Sequence, residues 1–131
     1  MAITPFERMC LATDMVVDQF KLGAFGGVTF KAMAVGTPIL TYLDEQRLLR
    51  QYPECPPVLN CRTTEEIVVK TRQVIASSDE LDRMGKAART WMKTFHAKEA
   101  TVNAQVDQFR RHLPISAPGN FYRNGLAEPN F

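Results

Sequence analysis

The sequence predicts an α/β domain built on a short parallel sheet of about three strands, with helices after it. Three observations carry that prediction. Short apolar, β-branched runs alternate with amphipathic helical patterns. A glycine-rich turn joins the first run to the first long helix. The last third of the described pattern is helical at a regular spacing. Alternating strands and helices in one chain form parallel sheets, and apolar strands of that kind are covered on both faces, which makes three layers.

The elements follow in order. Thr4, Pro5 and Glu7 give a capping box with proline at the first helical position, so a helix is expected from Pro5 to about Ala12. Met15 to Asp18 reads as a buried strand. The turn from Gln19 to Gly26 leads into a helix from about Gly27 to Val35, which Gly36 ends in a left-handed position. "PILTYL" is the second strand, and Asp44 caps a helix reaching Tyr52. "CPPVL" carries the third strand. Thr63 with Glu66 is a second capping box, opening a helix to about Ala76, and Ser78 or Asp79 opens the next. There Leu81, Met84, Ala88, Trp91, Met92 and Phe95 share one face, with Gly85 as its weak point by propensity. A last helix runs from about Lys98 to Leu113. From Pro114 onward the periodicity stops, which divides the chain into a domain over 1–113 and an irregular tail over 114–131.

Composition narrows the function classes. The chain has 131 residues, 45% hydrophobic and 23% charged, with a net charge of +2. That balance and the absence of a basic, aromatic-interleaved run argue against nucleic acid. No apolar run approaches the roughly 20 residues that span a bilayer. Cys10, Cys55 and Cys61 lack metal-ligand spacing, and with His96 and His112 they make no metal set. Idle thiols and the lack of a signal pattern point to the cytoplasm. His96 and His112 suit helix C-termini, where the dipole favours a cation. Asp44 and Glu45 suit a cap and a solvated first turn, and Trp91 suits the core. No residue is singled out as catalytic, and no cofactor is implied.

The chemistry is concentrated in "GAFGGVTFKAMAVGTPILTY", Gly23 to Tyr42. Ligands of parallel sheets bind at the carboxyl ends of the strands, where this turn lies. The helix N-terminus offers the backbone N–H groups of Gly27, Val28 and Thr29 to an anion, with Gly26 bare beside them. Lys21 and Lys31 add positive charge, and the Thr29 hydroxyl adds a donor. Asp18 is the best-placed carboxylate. The same glycines would also serve close strand–helix packing with no ligand.

The segment "ATDMVVDQFKLGAFGGVTFKAMAVGTPILTYLD" resembles the C-terminal, donor-binding domain of retaining GT-B glycosyltransferases. Asp14, Phe25-Gly26, Ala32-Met33-Ala34, Gly36 and Pro38 match that family's pattern in order and spacing, and "WMKTFHAKEA" resembles its closing helices. The resemblance covers about Thr4 to Leu113. It implies a Rossmann-like partial domain, the second half of the donor domain, and a nucleotide sugar or another phosphate-containing small molecule as ligand. The family places two glutamates at the turn and in the helix after it. Here those positions are Gly23 and Lys31. Glycine removes an acceptor for sugar hydroxyls, and a lysine donates where a carboxylate would accept. The resemblance therefore implies a glycosyltransferase-like chain inactive by itself, or an anion-binding or oligomerising module that keeps the fold. With the first half of the domain not in the sequence, Met15 to Asp18 would be an open sheet edge. It would pair in a homodimer or with a partner chain carrying the missing half.

Overall fold

A computed structural model describes residues 3–112. Within Ile3–Ala97 the order is α1 (Pro5–Leu11), β1 (Val16–Val17), α2 (Gly27–Val35), β2 (Ile39–Thr41), α3 (Glu45–Leu48), β3 (Leu59–Asn60), α4 (Thr64–Ile75) and α5 (Ser78–His96). A further helix, α6 (Lys98–His112), belongs to a separate compact unit beginning at Lys98; none of its residues is buried. The expected tail over 114–131 lies outside the described residues.

The three strands form one parallel sheet in the order β1-β2-β3. Val16 pairs with Ile39, Val17 with Leu40, Leu40 with Leu59 and Thr41 with Asn60. The mixed α/β class and the short parallel sheet are as expected. Strand alternation sends Val16 and Ile39 to one face and Leu40 and Leu59 to the other. On the first face they meet Cys10, Ala32, Met33, Ala88 and Trp91. On the second they meet Cys61, Val74, Met15 and Leu81.

Several local expectations are met. Both capping boxes form, at Thr4 with Glu7 and at Thr63 with Glu66. Glu7 accepts the Thr4 N–H and hydroxyl, and Glu66 accepts the N–H groups of Arg62 and Thr63, which holds each carboxyl below the usual range. The Asp44 side chain accepts the Arg47 N–H at 3.2 Å. Other elements are shorter than expected. The helix after Asp44 stops at Leu48, well before Tyr52, and the third strand is displaced to Leu59–Asn60. Two prolines precede that strand and leave little chain free to pair. The N-cap of α5 is Ser77, with no side-chain hydrogen bond.

Gly85 is not simply a weak point. Its buried backbone meets the loop that turns α2 into β2 so closely that a Cβ on it would lie 2.0 Å from the Gly36 carbonyl oxygen. Gly36 itself has φ +84° and its N–H bonds back to Met33, a glycine helix end in the left-handed region. Leu81 and Met84, before Gly85, pack into the second core cluster. Ala88, Trp91 and Phe95, after it, pack into the first. One helix thus serves both faces by crossing the sheet's amino edge at a residue with no side chain.

Alanine is the better helix former by about 1 kcal/mol. Gly85→Ala should nevertheless destabilise the protein by about 2–3 kcal/mol, because the clash is with backbone that cannot give way without moving α5. Urea unfolding of the purified variant measures this. A neutral or stabilising effect would show that α5 does not approach Gly36 as described.

Candidate functional site

The carboxyl edge of the sheet gathers three segments: the turn after β1, residues Tyr42 to Asp44 after β2, and Cys61 to Arg62 after β3. The turn is organised by a side chain that the sequence did not single out. The Gln19 side-chain oxygen accepts the N–H groups of Lys21 at 2.8 Å and Leu22 at 2.7 Å, and its Nε2 donates to the Ala24 carbonyl at 3.0 Å. Its backbone carbonyl accepts from the Tyr42 N–H and the Thr41 hydroxyl. Gln19 therefore folds the loop on itself and ties it to β2. From the other side Phe25 anchors the turn, its ring 5.0 Å from Phe30 and 5.7 Å from Trp91.

The glycines of the turn have different reasons to be there. Gly23 is buried with φ +61°, and its carbonyl accepts the Asp44 N–H at 2.9 Å. A Cβ there would stand 3.0 Å from the Asp44 Cβ and 3.1 Å from the Tyr42 ring. Backbone sign and crowding both require glycine at that position. Gly26 is the N-cap of α2 in an extended conformation, and among the described residues no side chain caps the helix. A Cβ on it would meet only Asp18 Oδ2, at 3.3 Å. Gly27 is exposed, and among the described residues a Cβ on it would touch nothing within 4 Å. Neither packing nor backbone conformation asks for glycine at Gly27.

The residues expected at an anion site fall in different places. Gly26, Gly27, Val28 and Thr29 do form the first turn of an uncapped helix at the carboxyl edge. Thr29 is fully buried, and its hydroxyl donates to Asp18 Oδ2 at 2.5 Å, so the expected extra donor is already engaged. The Asp18 carboxylate thereby stands beside the positive end of α2. Lys21 is exposed in the loop. Lys31 is exposed one turn along α2, with its ammonium 5.6 Å from the Phe6 ring centroid on α1. It faces α1 and not the turn. A cation unmarked by the sequence stands closer to the turn: the Arg62 guanidinium lies over the Tyr42 ring at 5.3 Å, the same ring that closes on Gly23.

Beside the turn lies a cleft of about 500 Å³, lined among others by Tyr42, Asp44, Asn60, Arg62 and Glu66. Most of its polar groups are already engaged. Asn60 exchanges two hydrogen bonds with the Leu43 backbone, at 2.8 and 2.9 Å, and also donates to Glu45. Glu66 accepts the N–H groups of Arg62 and Thr63. Among the described residues there is no metal-ligand cluster. The three cysteines are free, and burial raises each thiol above its usual range, away from nucleophilic thiolate.

His96 departs from its expected role. It ends α5, where the dipole would favour its charged form. Yet it packs against Phe30, Trp91 and Tyr52 at centroid distances of 4.9, 5.3 and 5.4 Å, and its Nε2 is buried without a partner among the described residues. Removal from water outweighs the dipole and pulls its pKa below the usual 6.5.

In comparisons with known proteins, no family model, no curated protein and no solved structure matches this chain.

Gly23→Glu should cost about 2–4 kcal/mol, the sum of a left-handed backbone imposed on a non-glycine residue and of crowding against Asp44. Urea unfolding reads this, and an unchanged midpoint would mean that the turn accepts a side chain there. For His96, the unfolded state takes up a proton at about pH 6.5 while the folded state resists it. Stability should therefore fall as pH drops through and below that value. His96→Phe should remove this part of the loss. Equal pH 7 to pH 5 differences in the two proteins would contradict the burial of the imidazole.

Proposed function

We propose that this chain is a glycosyltransferase-like, Rossmann-like half domain that binds the diphosphate of a nucleotide-type ligand at the N-terminus of α2 and does not itself catalyse sugar transfer. Gly27 carries the proposal. It is a bare, open position at the start of an uncapped helix, at the carboxyl edge of a parallel sheet, with no packing or conformational need for glycine. The N–H groups at the first turn of such a helix lack intrahelical acceptors and attract anions. The motif resemblance supplies the class of ligand, and the three free thiols suit a cytoplasmic setting.

Two features support a binding role over a catalytic one. At Gly23 no side chain fits, so a carboxylate for a donor sugar has no place there. At Lys31 the side chain is a cation on the α1 side of the helix. Asp18 sets the affinity. Its carboxylate is an internal anion near the dipole end that a phosphate would occupy, so the two compete. Completion of the sheet by a second chain belongs to the same proposal.

Titration of the purified chain with pyrophosphate and nucleoside diphosphates, followed by amide NMR, tests this reading. The Gly27, Val28 and Thr29 amides should move, and added salt should weaken the effect. Asp18→Asn should tighten binding by about threefold to tenfold by removing the competing charge. Gly26→Asp should abolish it. Nucleotide sugars should bind without turnover. Unmoved amides, or weaker binding in Asp18→Asn, would make the turn a packing device only.

A further inference from the structure

His96 joins the ring cluster under the glycine turn to the end of a helix. Its imidazole meets Phe30 at 4.9 Å, Trp91 at 5.3 Å, Tyr52 at 5.4 Å and Phe25 at 6.5 Å, and its Nε2 has no hydrogen-bond partner among the described residues. A neutral imidazole tolerates such a box. An imidazolium does not, because both of its nitrogens are donors and a buried charge without a partner is costly. The way out is short. His96 is the last residue of α5, so its ring can turn to water by fraying one helix end while the Gly85 crossing stays in place.

The glycine turn feels that loss through a chain of contacts. Phe25 packs on Phe30 at 5.0 Å, and both rings have His96 as a wall. The residue before Phe25 is Ala24, whose carbonyl accepts Gln19 Nε2 at 3.0 Å. The oxygen of the same amide holds the Lys21 and Leu22 N–H groups. A shift of Phe25 therefore pulls on the side chain that folds the loop.

The charges of the elements around the ring lie elsewhere. Lys31 of α2 is over Phe6, and Asp18 before the turn is bound by Thr29. Lys21 of the turn, Arg50 and Glu54 on either side of Tyr52, and Lys93 of α5 are exposed. The other titratable group in contact is the Tyr52 phenol, which burial pushes above its usual range. None of these offers the imidazolium a carboxylate.

We propose that His96 is an acid-sensitive latch on the glycine turn: protonation drives its ring out from between Phe25, Phe30, Tyr52 and Trp91, and the turn opens while the sheet stays folded. Above about pH 6.5 the ring is neutral in both states and the latch is closed. As the pH falls below that value the open state takes up a proton that the closed state resists, so opening grows. A weakened hold on an anion at the start of α2 would follow only on the phosphate-binding reading. The latch itself needs no ligand, so the two can fail separately.

Amide hydrogen exchange of the ligand-free full chain, corrected for the intrinsic rate at each pH, tests the latch. The reporters are the N–H groups of Lys21 and Leu22, bonded to Gln19, and of Asp44, bonded to Gly23. The references are the N–H groups of Val16 and Cys61, bonded within the sheet to Pro38 and Thr41. From pH 7 to pH 5 the reporters should lose protection by about fivefold to twentyfold, with the references staying the better protected. The His96 ring signals should titrate below pH 6.5. His96→Phe should abolish the reporters' loss, and His96→Gln should do the same if the larger ring does not fit. Four results would overturn the proposal. One is an imidazole that titrates at or above pH 6.5, its charge held by the faces of the rings. The others are reporters indifferent to pH, an equal loss in the variants, and reporters as well protected as the references at both pH values, which would mean that the turn opens only with the whole fold.

Discussion

The backbone contact between Gly85 and Gly36 is the constraint on which the rest of the structure depends. A nineteen-residue helix has to pass the corner where α2 becomes β2, and it does so with no side chain between the two backbones. That crossing places Leu81 and Met84 under one face of the sheet and Ala88 and Trp91 over the other. It also delivers Trp91 and His96 to the ring cluster that holds Phe25. Phe25 in turn fixes one side of the glycine turn, and Gln19 fixes the other. The position of the α2 N-terminus is thus set by a contact at the opposite end of the sheet.

Preorganisation of this kind suits binding more than chemistry. The turn has spent most of its polar groups on itself. Gln19 occupies two N–H groups of the loop, Asp44 bonds the Gly23 carbonyl, and Thr29 bonds Asp18. What stays open is the helix end at Gly27. A rigid donor array facing water binds an anion with little ordering cost. On the proposed reading, sugar transfer would also demand acceptors positioned on the reacting groups, which Gly23 and Lys31 would not supply.

Local signals in the sequence were legible where one residue type has one physical job. Thr4 with Glu7, Thr63 with Glu66 and Gly36 fixed helix ends correctly, and α2 matches its expected span from Gly27 to Val35. The strands were overextended, because runs such as "PILTYL", Pro38 to Leu43, continue past the strand that forms at Ile39–Thr41. Tertiary roles left no local trace. Gly85 looks like a propensity defect until Gly36 is seen against it. His96 looks like a dipole-favoured helix end until the rings of Phe30, Tyr52 and Trp91 close round it. Arg62 reaches the turn only through the Tyr42 ring, across a separation in sequence that no spacing rule spans. Gln19 had one available cue, a long amide immediately after a strand at the ligand edge, where it can satisfy a tight loop.

The central claim is that the uncapped start of α2 holds phosphate. Determining the structure of the chain with a nucleoside diphosphate at saturating concentration tests it most directly. The account predicts phosphate oxygens within hydrogen-bond distance of the Gly27 and Val28 N–H groups, with the Asp18 carboxylate displaced or facing away. Phosphates seated elsewhere on the molecule, with the α2 N-terminus open and Asp18 unmoved, would contradict it.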